Sequence, residues 1–508
     1  MSDVVIVLVA PLLGMVASLV TSCFVNVVPN QAIHINRFRL LAGCSWWLCI
    51  YAVVFLLVAR PFFSVCLVFG LHLLLLAVNH TKYRSLKEPF IIQDFEYFTD
   101  ALRHPRLYIP FFGVGKTILS IALIFSGVIF FLWLEPSLRS NNAVFWIFSS
   151  VALFGFGVIF FFIASRFVAV PSFCPVKDVR DLGLFGSLTV YGVQYRYFPD
   201  FTSDLLIPDN IGSGEIAELP HRILVQSESF FDPRESYSCV PRNYLRYWDE
   251  LRRDAVQAGK LSVPAWGANT VRTEASVLTG VAPEKFGVRQ FNPYHYLSSV
   301  SVQSVASLLK EKGYRTICIH PYPASFYKRN KVMPNLGFDQ FIDISTFDLT
   351  GKCGQYIGDL QILDKVKECL NTGQGPVFIF IITMENHGPL DLEQPLKEHL
   401  ESLEGGGSQG DLSDLAVYIR HLKNADVMLR RLADLLLVDG REGELCWYGD
   451  HVPIMPHVYD CLGEPAAETP YLFWSTRQRS TAESGAAEKD LHAHELVASW
   501  FHCSSHVG

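Results

Sequence analysis

The chain has 508 residues, of which 50% are hydrophobic and 13% aromatic, and it carries a net charge of -7. That is too apolar for an ordinary soluble protein of this length, and the excess lies in the first 168 residues. A pI of about 6.1 with no strongly basic stretch gives nucleic-acid binding no support, and the twelve cysteines form neither a CxxC pair nor a Cys/His cluster with zinc-finger spacing.

Val4 to Val28 contains no charged residue. At helical rise it spans the roughly 30 Å hydrocarbon core of a bilayer. It has neither a basic leader nor a small-residue cleavage site, so it reads as an anchor. Further apolar runs cover 40–59, 62–79, 117–135 and 144–165, which makes five spans within a transmembrane region of 1–168. Arg60 and Pro61 separate the second and third spans and predict a tight hairpin. The loop from His80 to Lys116 has six Lys/Arg and four Asp/Glu. By the positive-inside rule it faces the cytoplasm, and the C-terminal domain with it. Its amphiphilic stretch PFIIQDFEYF suits the bilayer interface. Residues 169–220, mixed and punctuated by Pro and Gly, read as a linker.

From 221 to 508 the pattern changes to short apolar runs separated by helical ones. ILVQ (223–226), TICI (316–319), VFIFIITM (377–384), LCWY (445–448) and YLFW (471–474) predict buried strands. SVQSVASLLKEKG and LAVYIRHLKNADVMLRRLADLLL predict helices between them. This alternation predicts an α/β domain with a mainly parallel central sheet, whose active site lies outside the carboxyl ends of the strands. Four strands are followed at once by metal-ligand or phosphate-binding types: Glu228 after the first, His320 and then Arg329, Glu385-Asn386-His387, and Gly449-Asp450-His451. Any one of these alone is an ordinary cap or surface residue. Together they suit one divalent cation held by carboxylates and imidazole, with Mn²⁺ the expected ion and Mg²⁺ or Zn²⁺ the alternatives.

Residues 263–280 read VPAWGANTVRTEASVLTG. Gly267 and Asn269 favour a turn, and a helix can begin at Thr270. Thr270 is then either a capping hydroxyl or a nucleophile at a helix N-terminus that holds a tetrahedral anion. An alcohol is a weak nucleophile at neutral pH, and coordination to a divalent metal makes it competent. Thr273 reads as a supporting or packing residue and Glu274 as a first-turn acid favoured by the helix dipole.

The segments VQSESFFD, GANTVRTEASVLTG, SFYKRNKVMPNLGFD, ITMENHGPL and YGDHVP together resemble the lipoteichoic acid synthase-like phosphoglycerol transferases of the alkaline phosphatase/sulfatase superfamily. The resemblance implies about five transmembrane helices and a C-terminal sulfatase-like domain outside the cytoplasm, opposite to the charge count. It implies Glu228, Asp450 and His451 as metal ligands, with Thr270 as a nucleophile that also touches the metal. Arg329 and His387 match residues that bind the phosphoglycerol head group. His457 is a further pocket candidate, and Asn292 and His295 are candidates for the entrance. The implied reaction moves phosphoglycerol from phosphatidylglycerol in the bilayer to a cell-envelope glycan, through a phospho-threonine, at a bacterial inner membrane. Two departures concern the acceptor pocket: Ala268-Asn269 stand where relatives often carry a second Gly, and Ala275-Ser276 replace an aromatic and an acid.

Three other readings stay open. A phosphoethanolamine transferase would use the same chemistry on another donor, although the sequence shows no clear second-metal set. A sulfatase needs C/S-x-P-x-R, and CVPRN at Cys239 places Arg242 one position early. A non-catalytic membrane scaffold would have lost the nucleophile or a ligand.

Overall fold

A computed structural model describes residues 3–24, 35–97, 113–139, 143–168, 170–197, 203, 205, 219–373, 375–403, 412–477 and 486–506. The chain divides into two compact units, Met1–Phe198 and Pro199–Gly508.

In the first unit, long charge-free runs form five helices that are long and apolar enough to cross a membrane. They are α1 (Asp3–Phe24), α2 (Arg37–Val58), α3 (Pro61–Leu86), α4 (Val114–Leu134) and α5 (Ala143–Ser165). The expected hairpin at Arg60 is present: Ala59 takes a left-handed conformation and Pro61 opens α3. The Glu135 carboxylate accepts from the free N–H groups of Phe62 and Phe63 at 2.9 and 2.7 Å, an anion seated on a helix N-terminus. α3 runs seven residues past the expected end at 79, because the polar turn His80–Arg84 continues the helix. Much of the loop expected at the interface, and the glycine-rich run 404–411, lie outside the described residues.

The expected linker needs correction. Its residues Pro175–Leu182 and Leu184–Gln194 form helices α6 and α7. Pro175 starts the first and Gly183, at φ 74°, breaks the pair. Val179, Leu182, Leu184 and Leu188 are buried within the first unit.

In the second unit the strands are β1 (His221–Ser227), β2 (Gln257–Ser262), β3 (Arg315–Ile319), β4 (Gln340–Ile342), β5 (Lys352–Cys353), β6 (Tyr356–Ile357), β7 (Val377–Ile382), β8 (Gly443–Gly449), β9 (Thr469–Ser475), β10 (Ala487–Glu488) and β11 (Leu491–His492). The sheet order is β10-β2-β9-β8-β1-β7-β3-β4, with β11 also on β2. The central block β8-β1-β7-β3-β4 is parallel, and β9 runs antiparallel to β8 and to β2. β1, β7 and β8 are buried along their whole length. Continuous apolar runs such as VFIFII are what a parallel sheet covered on both faces requires. β5 and β6 form a separate antiparallel hairpin. Helices that follow strands cover both faces, among them α8 (Thr270–Thr279) and α9 (Ser413–Val438).

Candidate active site

Register assembles the site. Ser227, the last residue of β1, pairs with Gly449, the last of β8, and Gln226 pairs with Ile382 of β7. The next residues therefore emerge side by side: Glu228, Asp450 and Thr383. The Glu228 N–H donates to Thr383 Oγ1 at 3.0 Å. Gly449 is required by close approach, since a Cβ there would lie 1.9 Å from the Phe230 carbonyl oxygen. Ser229 adopts φ 50°, a region that non-glycine residues seldom occupy without a local reason. In that conformation its N–H donates to Asp450 Oδ1 at 2.8 Å and its hydroxyl donates to Glu228 Oε1 at 2.8 Å.

Glu228, Asp450 and His451 are buried, and each offers a ligand atom within 4.8 Å of the others. His451 Nδ1 lies 3.0 Å from the Val452 carbonyl, which fixes it as the protonated nitrogen and leaves the Nε2 lone pair free. Nε2 stands 3.3 Å from Asp450 Oδ2, 3.6 Å from Glu228 Oε1 and 3.4 Å from Thr270 Oγ1. Four donors bound at 2.0–2.1 Å around a tetrahedral ion are separated by about 3.3 Å. Asp450 Oδ2 is buried with no hydrogen-bond partner among the described residues, an arrangement that a cation satisfies and water-free protein does not. Burial and the neighbouring Asp450 push the Glu228 carboxyl up to about 8, the mark of two carboxylates forced together. The donor set, hard oxygens and one imidazole, suits a divalent cation.

Thr270 is the first residue of α8. The N-cap is Asn269, left-handed at φ 67° and without a side-chain cap bond. The Thr270 hydroxyl therefore does not cap the helix. It faces His451 and is 6% exposed. The Thr273 hydroxyl donates to the Asp450 carbonyl at 2.9 Å and steadies the ligand turn.

Glu274 sits beyond the first turn of α8 and is not the expected first-turn acid. It is fully buried, pairs with Arg329, and accepts from the Tyr294 hydroxyl at 2.7 Å and from Gln226 Nε2 at 3.3 Å. Arg329 Nε and Nη2 both face Glu274, and Nη1 lies 3.2 Å from His320 Nε2. Arg329 is thus 2% exposed, though near enough to lower the proton affinity of both Glu228 and His387. Tyr327 and Lys328, at φ 53° and 56°, aim it inward. His387 is half-buried, with Nδ1 2.6 Å from the Gly388 carbonyl and 3.3 Å from the Tyr356 hydroxyl. Burial lowers its pKa. His457 does not join the cluster: it is exposed on the helix Pro456–Leu462. Asn292 is the N-cap of the short helix Pro293–Leu297 and His295 lies within it. Sequence reasoning passed over Ser229 and Thr383, whose one available signal was adjacency to a strand end.

Comparison with known proteins agrees with this architecture. The chain is 26% identical over 499 residues to the capsular polysaccharide biosynthesis protein RkpI of Rhizobium meliloti, covering 93% of this chain and 88% of that one. It is 23% identical over 169 residues to lipoteichoic acid synthase 1 of Bacillus subtilis, 33% of this chain and 26% of that protein. Among solved structures, the integral membrane lipooligosaccharide phosphoethanolamine transferase A of Neisseria meningitidis is similar across 98% of this chain and 94% of that one, with a TM-score of 0.56 and 14% identity. The Sulfatase family model matches residues 220–506, the whole of the sheet and every residue of the cluster. The chain belongs to the Sulfatase family, and lipoteichoic acid synthases are among the proteins it resembles.

Proposed function

We propose that the protein transfers phosphoglycerol from phosphatidylglycerol to a cell-envelope glycan through a phospho-threonine at Thr270. The observation that carries this reading is the Thr270 hydroxyl, free of any capping role and turned toward the Glu228–Asp450–His451 cluster. Those three residues and Thr270 would hold the cation, with Mn²⁺ the expected ion. When bound, the ion supplies Lewis-acid activation of the alcohol and neutralises phosphate charge.

The chain's own residues supply the rest. Ser229 and Thr383 hold Glu228 and Asp450 in register, and Asn269 presents Thr270 at the open end of α8, where backbone N–H groups favour an anion. Thr270 Oγ1 attacks the donor phosphorus. The bond from phosphorus to the diacylglycerol oxygen breaks, and that oxygen takes up the proton that Thr270 releases. A sugar hydroxyl then attacks the same phosphorus, breaks the bond to Oγ1 and returns a proton to Thr270. His387, half-buried, is the head-group contact. Arg329 acts from behind Glu274 through its field. The near full-length likeness to a capsular polysaccharide protein supports a glycan acceptor. In this reading the active domain lies outside the cytoplasm at a bacterial inner membrane, with the five helices crossing it.

A second reading, phosphoethanolamine as the donor head group, is favoured by the likeness to the Neisseria transferase along nearly the whole chain. The test is diacylglycerol release from labelled phosphatidylglycerol by the full-length protein with Mn²⁺, alongside phosphatidylethanolamine, with Thr270→Ala as control. Release from phosphatidylglycerol alone, lost in the variant, is the expected result. Release from phosphatidylethanolamine alone moves the donor to the second reading. Release from neither, with metal bound and acceptor present, refutes lipid-donor transfer.

A further inference from the structure

A second group of ligand-type side chains lies on the neighbouring strand end and takes no part in the reaction above. Glu385 follows β7, Cys353 ends β5, and His421 projects from α9; each offers a ligand atom within 4.8 Å of the others. Glu385 and His421 are fully buried, and Cys353 is half-buried. The distance from His421 Nδ1 to Glu385 Oε1 is 3.2 Å, close to the edge of about 3.3 Å for a tetrahedral ion with 2.0 Å bonds. Asn424 Nδ2 donates to the same Glu385 oxygen at 2.5 Å and lies 3.4 Å from Cys353 Sγ.

A buried acid adjoins these three. Asp359 is fully buried, and neither of its carboxylate oxygens has a hydrogen-bond partner among the described residues. Its backbone N–H donates to Glu385 Oε2 at 2.8 Å, which ties it to the cluster, and its charge interacts with Glu385 and His421. A buried carboxyl with both oxygens unsatisfied is costly unless it holds a proton or has a cation near it. The far nitrogen of His421 points the same way. Nε2 lies 3.1 Å from Glu393 Oε2 and 3.0 Å from Arg420 Nη2, which itself pairs with Glu393. A carboxylate on the far nitrogen is the outer arrangement that orients metal-binding histidines.

We propose that Cys353, Glu385 and His421 form a second cation site, of zinc type, beside the first, with Asp359 as an adjoining buried acid. The thiolate sets the class: a soft sulfur ligand beside imidazole and carboxylate selects zinc over the hard ions Mn²⁺ and Mg²⁺. The site joins three segments that are distant in sequence. One is the β5-β6 hairpin, whose Tyr356 hydroxyl donates to the Gly388 carbonyl at 3.0 Å and touches His387. An ion here fixes the wall of the head-group pocket without touching the donor. The competing occupant is a metal-free network in which His421 is protonated between Glu385 and Glu393.

The test uses full-length protein in detergent, loaded with zinc, freed of excess and measured by elemental mass spectrometry. The expected result is a second equivalent of zinc that survives in Asp450→Asn and is lost in Cys353→Ser. Cobalt substitution adds a readout that does not need a cysteine variant. Because the first site has no thiol, a near-ultraviolet thiolate-to-cobalt band in wild type and in Asp450→Asn marks the second site alone. Cobalt-loaded protein without that band, or zinc content unchanged by Cys353→Ser, overturns the proposal in favour of the protonated network.

Discussion

Replacing Glu274 by Ala should destabilise the C-terminal unit severely without touching any metal ligand. Glu274 is fully buried and Arg329 is 2% exposed, and they face each other through two guanidinium nitrogens. Removing the carboxylate leaves a buried guanidinium with His320 Nε2 as its other named partner, and strands the Tyr294 hydroxyl and Gln226. Breaking a buried ion pair from one side costs about 3–5 kcal/mol. At roughly 2–4 °C per kcal/mol for a domain of this class, the melting temperature falls by roughly 6–20 °C. The assay is thermal unfolding of the detergent-solubilised full chain, followed by tryptophan fluorescence. The control is the double variant Glu274→Leu/Arg329→Met, which removes both charges and keeps volume, and should recover most of the loss. A single variant that melts within about 2 °C of wild type has lost far less than a broken buried ion pair demands, and refutes the reasoning. So does a double variant no better than the single one.

Three further outcomes follow from the same geometry. Gly449→Ala places a Cβ against the Phe230 carbonyl, so the ends of β1 and β8 must separate; metal content by elemental analysis and diacylglycerol release should both fall sharply, and a variant that retains full metal content disproves the role of register here. Ser229→Ala removes the hydroxyl that holds Glu228, and titration should show metal affinity weaker by about 10–100-fold. Burial raises the Asp426 pKa to about 6, above the ordinary 3.8, with its two backbone N–H contacts from Tyr247 and Trp248 opposing. Because the folded form holds its proton more tightly, the contribution of this group to stability is present in full below about 4 and is lost as pH rises through about 6; Asp426→Asn should flatten the denaturant midpoint across that window, and an unchanged slope would count against it.

Much of this protein is legible because its signals are local. Charge-free runs of helical length are constrained by the bilayer thickness alone, and the five apolar helices follow. The strand runs ILVQ, TICI, VFIFII and LCWY are continuous and apolar because a parallel sheet buries both faces, so β1, β3, β7 and β8 could be located from composition. β2 escaped because QAGKLS is mixed in character, and it sits beyond the antiparallel β9, where the sheet is no longer buried throughout. The helices of 175–194 escaped because proline and glycine, read as linker punctuation, instead mark a helix start and the break between two helices.

The sequence by itself determined the residue types at the strand ends and the turn before Thr270, since each depends on its immediate neighbours. Only the tertiary structure decided which of them meet. Parallel register sets Glu228 beside Asp450, while the helix Pro456–Leu462 leaves His457 exposed. The packing of α8 turns Glu274 inward onto Arg329. The fold also brings Cys353, Glu385 and His421 together from positions no spacing rule connects. Pairing across a sheet joins residues by register rather than by distance along the chain, so no local pattern records it.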